Sequence, residues 1–405
     1  MLRCFRRCLL FKLIVLAAAV LLAVTIFAGC GSNQSDSDTA EPVRIGLLVP
    51  YTGVFASCGE NITRGMELYL DQIGWQAAGR DIKLIKEDTE MNGQVGLQKT
   101  RRLVESDQAD ILTGIVSSTV AYALRDYVVS NEIPLIIANA GAADLTREKG
   151  SPYIFRVSFA NGQYEYPEGI YAYDKLNFRK IAVLAPDYAA GHEKANGFMA
   201  GFKAAGGEIV QEIYPQLGTS DYGPFLTQIK DADAVWVHFS GNDSIAFVKQ
   251  YDEYGLKEKM PLLTSGDCVD ESSLPAQGDA AAGIISALHY SAALDTAENK
   301  EFVSAYTDKY GEEPNMFAEQ GYVAARVIAA SLEAVNGNLT DTDRLLSEIR
   351  KVEFAAPRGP FKFDPQTQNV IFNTYIRRVE KKGDKIVNSV IETIPDIKDQ
   401  WTPSR

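Results

Sequence analysis

The sequence predicts an α/β protein built from two doubly wound parallel-sheet domains, and three observations predict it. Short apolar runs alternate with amphipathic helical stretches from Val43 onward, which is what a parallel sheet with crossover helices requires. The series runs once to about residue 157 and then repeats. A length of 405 residues, 46% hydrophobic and 23% charged, is enough for two or three cores and too well mixed for disorder or a multi-span membrane protein.

Val43 to Val49 (VRIGLLV) is the first strand, broken by Pro50-Tyr51-Thr52-Gly53. Over Gly59 to Gly74 the apolar positions Ile62, Met66, Tyr69, Leu70 and Ile73 share one helical face. Strands follow at Ile82 to Lys86, Ile111 to Ile115 and Leu135 to Ala138, separated by helices from about Gly93 to Ser106 and Thr119 to Ser130. After Phe155-Arg156-Val157 the second series reads helix Gln163 to Leu176, strand Ile181 to Ala185, helix His192 to Ala205, strand Ile209 to Tyr214, helix Tyr222 to Ile229, strand Ala234 to Phe239 and helix Asp243 to Tyr254. Strands near Leu262 to Thr264 and Gly283 to Leu288 close it, and helices Asn299 to Tyr310 and Phe317 to Val335 still need a sheet to cover. The last sixty residues change character. Gly359 to Phe363, Val370 to Val379 and Ile386 to Ile394 surround the turn signals Asp364-Pro365 and Lys382-Gly383-Asp384, an antiparallel ending.

The N-terminus reads as an address. Arg3, Arg6, Arg7 and Lys12 precede an apolar run from Leu13 to Gly29 that ends in small residues before Cys30, the pattern of a secretory signal. The junction Phe27-Ala28-Gly29-Cys30 resembles a bacterial lipobox, which makes residues 1–29 a lipoprotein signal peptide and Cys30 the lipidated N-terminus. Residues 30–42, from Gly31 to Glu41 almost without apolar side chains, read as a flexible tether. Cys4 and Cys8 leave with the signal, so Cys58 and Cys268 remain. Being 210 residues apart and on opposite halves, they are expected as two free thiols.

Several chemistries are excluded. The net charge of -13, with no basic stripe, argues against nucleic acid. His192, His238 and His289 lie about 50 residues apart and offer no metal-ligand spacing. No G-x-G-x-x-G follows the first strand, and there is no Walker A loop and no G-x-S-x-G elbow. No catalytic residue, metal or cofactor is therefore assigned.

What remains is a set of loops after strand ends, where open parallel sheets bind ligands. Tyr51 to Gly59 (YTGVFASCG) combines hydroxyls, glycines and Phe55. Ser117 and Ser118 stand at a strand-to-helix junction, where free N–H groups and the helix dipole favour a carboxylate, although a serine there also simply caps the helix. Asn139-Ala140-Gly141 lets a ligand approach the backbone. In the second half, Asp187-Tyr188, Ser240-Gly241-Asn242-Asp243 and Ser265-Gly266-Asp267-Cys268 repeat the small-plus-polar pattern.

Together, Ile45-Gly46 with Thr52-Gly53, Gly65, Asp88, Ser117-Ser118, Asp187-Tyr188 with Gly191, and AEQGYVAA from Ala318 to Ala325 resemble a type I periplasmic-type solute-binding lipoprotein of the branched-chain amino acid family that serves ABC importers. The resemblance covers nearly all of residues 43 to 394. It implies two lobes joined by three hinge crossovers: residues 43–158 with 291–351 as lobe 1, 159–290 with 352–394 as lobe 2, and 395–405 as a C-terminal tail. It also implies a monomeric, exported, lipid-anchored receptor that closes on a small molecule, hands it to permease subunits and does no chemistry. In amino acid binders of the family a threonine that helps hold the α-ammonium stands where Gly141 stands here, and an unpaired buried ammonium costs several kcal/mol. The wording NAGAAD, DYAAGHE and HFSGND instead resembles the subgroup that takes up aromatic carboxylates. On that resemblance Phe55, Tyr188, Tyr51 and His289 are candidates to sandwich a ring, and the carboxylate rests on Ser118 and neighbouring N–H groups. Asp267 would repel a carboxylate, accept a ring hydroxyl or pair with an ammonium. An amino acid or amide binder, or a ligand sensor of the same fold, stays open as the alternative.

Overall fold

The structure, a computed structural model, describes residues 41–400. The expected signal at 1–29, Cys30 and the tether as far as residue 40 lie outside the described residues, as do 401–405 of the expected tail. Among the described residues no helix is long and apolar enough to cross a membrane.

In the first sheet β1 (Val43–Val49) lies between β3 (Arg80–Asp88) and β4 (Ile111–Gly114), parallel to both. Its two faces enter different cores. Val43, Ile45, Leu47 and Val49 pack with Ile62 and Met66 of α1 (Ala56–Gln72), while Leu48 packs with Leu103 of α2 (Gly93–Glu105) and with Val120 and Leu124 of α3 (Ser118–Ser130). That two-sided burial explains why no polar side chain follows Arg44 in the strand. With β2 (Gln76–Ala77), β5 (Leu135–Ile137) and β6 (Ile154–Arg156) the strand order is β2-β3-β1-β4-β5-β6, and only β2 is antiparallel to its neighbour.

The second sheet holds nine strands. Beyond α4 (Glu165–Asp174) come β7 (Lys180–Leu184), α5 (Ala189–Ala205), β8 (Glu208–Ile213), α6 (Gly223–Leu226), β9 (Ala234–Val237), α7 (Asn242–Glu253), β10 (Leu262–Ser265), α8 (Leu274–Gln277) and β11 (Ile285–Leu288). These five strands pair in parallel. The chain then leaves for α9 (Ala297–Tyr310), α10 (Met316–Ala334) and α11 (Thr342–Lys351), and returns through β12 (Glu353–Ala356), β13 (Gly359–Phe363), β14 (Val370–Lys382) and β15 (Lys385–Ile397). β14 runs antiparallel to β11, and β13 and β15 antiparallel to β14. The fold is thus two α/β lobes with mostly parallel sheets, and the antiparallel ending read from the sequence is present.

The two helices that lacked a sheet cover the first lobe. α10 lies on α1 so closely that a Cβ at Gly65 would stand 1.8 Å from the Ala318 carbonyl oxygen, and one at Gly321 would stand 2.0 Å from that of Ile62. The chain passes between the sheets at residues 157–164, at 289–296 and at Val352. Arg358, fully buried and just beyond the third path, pairs with Glu319 of α10 (Nε to Oε1, 2.8 Å) and donates to the Val157 carbonyl of the first path (2.7 Å).

Several boundaries differ from expectation. α1 begins at Ala56 rather than Gly59, and Gly74 lies beyond its end with φ +64°. β4 stops at Gly114 because Gly114 and Ile115 both turn left-handed, with φ of +98° and +62°. The helix expected over Tyr222 to Ile229 is the single turn α6, after which the Gln228 and Ile229 amides bond to carbonyls three residues back, at Phe225 and Leu226, instead of four. The short β2, β6 and β12 offered too few residues for a periodic signal.

Candidate functional site

The loops singled out in the sequence meet at one small cavity between the two sheets. Four helices open onto it. Phe55 is the N-cap of α1, Ser118 the first residue of α3, Ala190 the second of α5 and Phe317 the second of α10. Each helix start carries about half a positive charge and unpaired N–H groups. α1 and α5 have no side-chain cap hydrogen bond; the Ala56 amide of α1 is taken by the Gly53 carbonyl at 3.3 Å, and the amides that follow it and those opening α5 are the ones an anion could use.

Of the expected site residues, Phe55, Ser118, Asn139, Gly141, Tyr188 and Asp267 line this cavity. Ser117 and Ala140 are not among the lining residues. Ser117 serves as the N-cap of α3, its side chain accepting from the Val120 amide at 3.4 Å, and Ala140 is buried in the core shared by α2 and α3. Tyr51 and His289 lie elsewhere too. Tyr51 bonds Thr63 Oγ1 at 2.8 Å beside Glu60. His289 is packed behind the cavity against Phe159 and Phe372, with ring centroids 5.5 and 5.4 Å away.

Ser240, from the loop Ser240-Gly241-Asn242-Asp243, also lines the cavity, and the residues that sequence reasoning missed are Phe159 and Asn161 from the first crossover, Lys194 of α5, His238 after β9, and Phe317. Lys194 is 2% exposed, and its Nζ lies 2.8 Å from Glu165 Oε1 and 3.0 Å from Asp267 Oδ2 and also donates to the Tyr164 hydroxyl. Tyr164 in turn donates to Asp267 Oδ2 at 2.6 Å. The ammonium stands 4.2 Å from the Phe159 ring centroid, a cation–π contact. Burial pulls Lys194 toward neutrality, but Asp267 and Glu165 outweigh it and raise its pKa. For Asp267 burial works upward, yet Lys194, His238 and the Tyr164 hydrogen bond bring it down to about 2. Asp267 is therefore an ionised carboxylate whose cation is already in place.

Gly141 has a positional reason. A Cβ there would fall 2.1 Å from Asn161 Oδ1 and 2.8 Å from Phe159 Cε2. Asn161 and Phe159 thus fill the space that a side chain at 141 would take. Asn161 Nδ2 donates to Glu193 Oε2 (2.8 Å) and Ser118 Oγ (3.1 Å). A carboxylate only accepts, which fixes the amide's orientation, and Asn161 Oδ1 is left buried without a partner. Glu193 also accepts from Tyr122 of α3 (2.6 Å) and from the Ala143 amide (3.0 Å). A Cβ on Gly241, after β9, would stand 2.5 Å from the Val54 carbonyl oxygen. These contacts draw the two lobes together over the cavity.

Cys58, at the start of α1, and Cys268, in the turn after β10, are both buried free thiols.

The model of the family described as periplasmic binding protein matches residues 42–384. An ABC transporter substrate-binding protein from Sphaerobacter thermophilus is 43% identical, with a TM-score of 0.84 over 88% of this chain and 99% of that one. A solute-binding protein of an R. palustris ABC transporter, solved in complex with benzoate, is 36% identical, with a TM-score of 0.83 over 89% and 98% of the two chains. Leu/Ile/Val-binding protein homolog 6 of Brucella melitensis is 30% identical over 371 residues, covering 90% of this chain and 93% of its own.

Proposed function

The chain belongs to the periplasmic binding protein family as an extracytoplasmic substrate-binding component of an ABC importer, and on that footing we propose that its ligand is a small aromatic carboxylate. The observation that carries the reading is the composition of the cavity. The rings of Phe55, Phe159, Tyr188 and Phe317 line it, and Ser118 stands at the first turn of α3. Flat rings suit ring faces and edges, each good pair adding about 0.5–1.5 kcal/mol beyond area burial. The converging helix starts suit one negative charge.

Capture would follow from closure. Ligand contacts to both lobes exist together only when the cleft is shut, so the ligand shifts the hinge equilibrium by the difference in its affinity for the two states. The closed protein then meets the permease subunits, while Cys30, lipidated after loss of residues 1–29, holds it at the membrane. The proposed lobes, residues 43–158 with 291–351 and 159–290 with 352–394, would pivot about the three crossovers, and the receptor acts as a monomer.

A second reading, an α-amino acid, is favoured by one atom: Asn161 Oδ1 is a buried acceptor with no partner. An ammonium has three donors to satisfy, and the carboxylate of Asp267 is already committed to Lys194. Isothermal titration of ligand-stripped protein separates the two readings. Benzoate or 4-hydroxybenzoate is expected to bind at one site per chain and L-leucine to give no heat of binding. Leucine binding without any aromatic acid would reverse the assignment.

A further inference from the structure

We propose that closing the cleft takes up one proton, held by the neighbouring carboxyl groups of Asp270 and Glu271 where the turn after β10 meets the start of α10. The proposal rests on the reading of the chain as a receptor that shuts on its ligand, and it holds for an aromatic or an aliphatic guest alike.

The pair sits on a seam between the lobes. Asp270 follows β10 of the second sheet, and its Oδ2 accepts from the amide of Met316, the first residue of α10, at 3.3 Å. α10 in turn lies on α1 of the first lobe. Asp267, three residues before Asp270, and Phe317, one residue after Met316, both line the ligand cavity. The contact therefore stands beside the ligand and parts when the lobes part.

The charges around the pair do not balance. Asp270 is 1% exposed and the Glu271 side chain 6%. Arg377 of β14 pairs with Glu271, Nη1 to Oε1 at 3.5 Å, and Asn388 donates to the same oxygen at 3.2 Å. Glu271 Oε2 is buried without a partner. Asp270 Oδ1 accepts from the amide and hydroxyl of Ser272 at 3.1 and 2.6 Å, and among the described residues no cation pairs with Asp270. The other elements packed here bring no compensating charge. Burial and the Glu271 carboxylate raise the pKa of Glu313, before α10, and of Tyr290, in the second crossover, while burial and Asp270 raise that of Cys58 in α1. Lys385 acts on Glu313.

Two buried carboxylates with one cation leave one negative charge uncompensated, and protonation removes it. Burial and Glu271 outweigh the bonds from Ser272 and Met316 and push the Asp270 carboxyl up to about 7. Opening withdraws α10 and α1 and admits water, which returns the carboxyl toward its ordinary value of 3.8. Between these two values the closed form binds more protons than the open one, so a falling pH favours closure and tightens binding.

Isothermal titration of the full-length protein with benzoate, at pH 6 and pH 8 and in two buffers of different ionisation enthalpy, counts the protons. Uptake of about 0.9 proton per benzoate is expected at pH 6 and about 0.1 at pH 8, with binding about tenfold tighter at pH 6. Benzoate is ionised at both pH values and contributes none. Asp270→Asn keeps an acceptor for the Met316 amide but cannot titrate, and is expected to take up no proton and to bind equally at both pH values. Uptake below about 0.2 proton by wild type at pH 6, or uptake that persists in Asp270→Asn, overturns the proposal and leaves the aromatic reading standing. Should benzoate give no heat, L-leucine replaces it as the probe: the aromatic reading then fails, and the proton count still decides this proposal. Failure of both acids to bind defeats the receptor reading and the proposal with it.

Discussion

Replacing Lys194 with Met is expected to destabilise the protein by about 3–5 kcal/mol, the range for removing one partner of a buried ion pair. The substitution keeps most of the volume but strips the cation from Glu165 and Asp267, both almost wholly buried. The pH dependence gives the effect a signature. In wild type the Asp267 carboxyl lies at about 2, below its ordinary value of 3.8. Its stabilisation is therefore complete above the unfolded value and is lost as pH falls through the folded one. In the variant the same carboxyl is buried without its cation, so its folded pKa rises above the unfolded value. The sign then reverses, and the variant regains stability as pH is lowered from 7 toward about 4. Urea denaturation at both pH values reads this. A loss below about 1 kcal/mol at pH 7, or one that does not shrink at pH 4, would mean that the three charges are not the coupled group seen here.

Gly65→Ala or Gly321→Ala is expected to cost about 3 kcal/mol each, at the upper end for overpacking. The added methyl in either case runs into a backbone carbonyl of the opposing helix, within 2 Å, and a carbonyl of a packed helix has no rotamer by which to move aside. The helices must separate, opening the core formed by Ile62, Met66, Val323 and Ile328. Because one separation relieves both clashes, the double variant should lose less than the sum of the singles. Thermal unfolding of the three variants checks this, and singles within about 0.5 kcal/mol of wild type would contradict the close approach.

The sequence made the fold legible where its signals were long or paired. β1 announced itself as a strand buried on both faces, and the turn residues near Asp364-Pro365 and Lys382-Gly383-Asp384 announced the antiparallel ending. Strand order was not legible in this way. It depends on which crossover returns to which edge, and only the resemblance placed α9 and α10 back over the first sheet. In the site, the loops after β1, β4, β5, β7 and β10 contribute what their composition suggested. Ser117 caps α3 and is not on the cavity wall, since a serine before a helix serves a cap as readily as a ligand, and Ala140 lies in the core between two lining residues.

Lys194 escaped because a lysine within a helix ordinarily faces solvent. The signal that would have found it is its register. Ala190, Lys194, Phe198 and Phe202 are four apart in turn, and all are buried, so the lysine occupies a place in an apolar stripe. Asn161 and Phe159 lie in a crossover with no periodicity, and nothing local distinguishes them. His238 looked like one of three scattered histidines, and its meaning comes from Ser265 and Asp267, which β10 and its following turn bring to it.

Closure of two lobes around one small aromatic anion is best tested by small-angle X-ray scattering of ligand-stripped protein, titrated with 4-hydroxybenzoate. The radius of gyration is expected to fall and to level off at one ligand per chain, with L-leucine leaving it unchanged. A radius that stays constant through saturating 4-hydroxybenzoate would contradict the account.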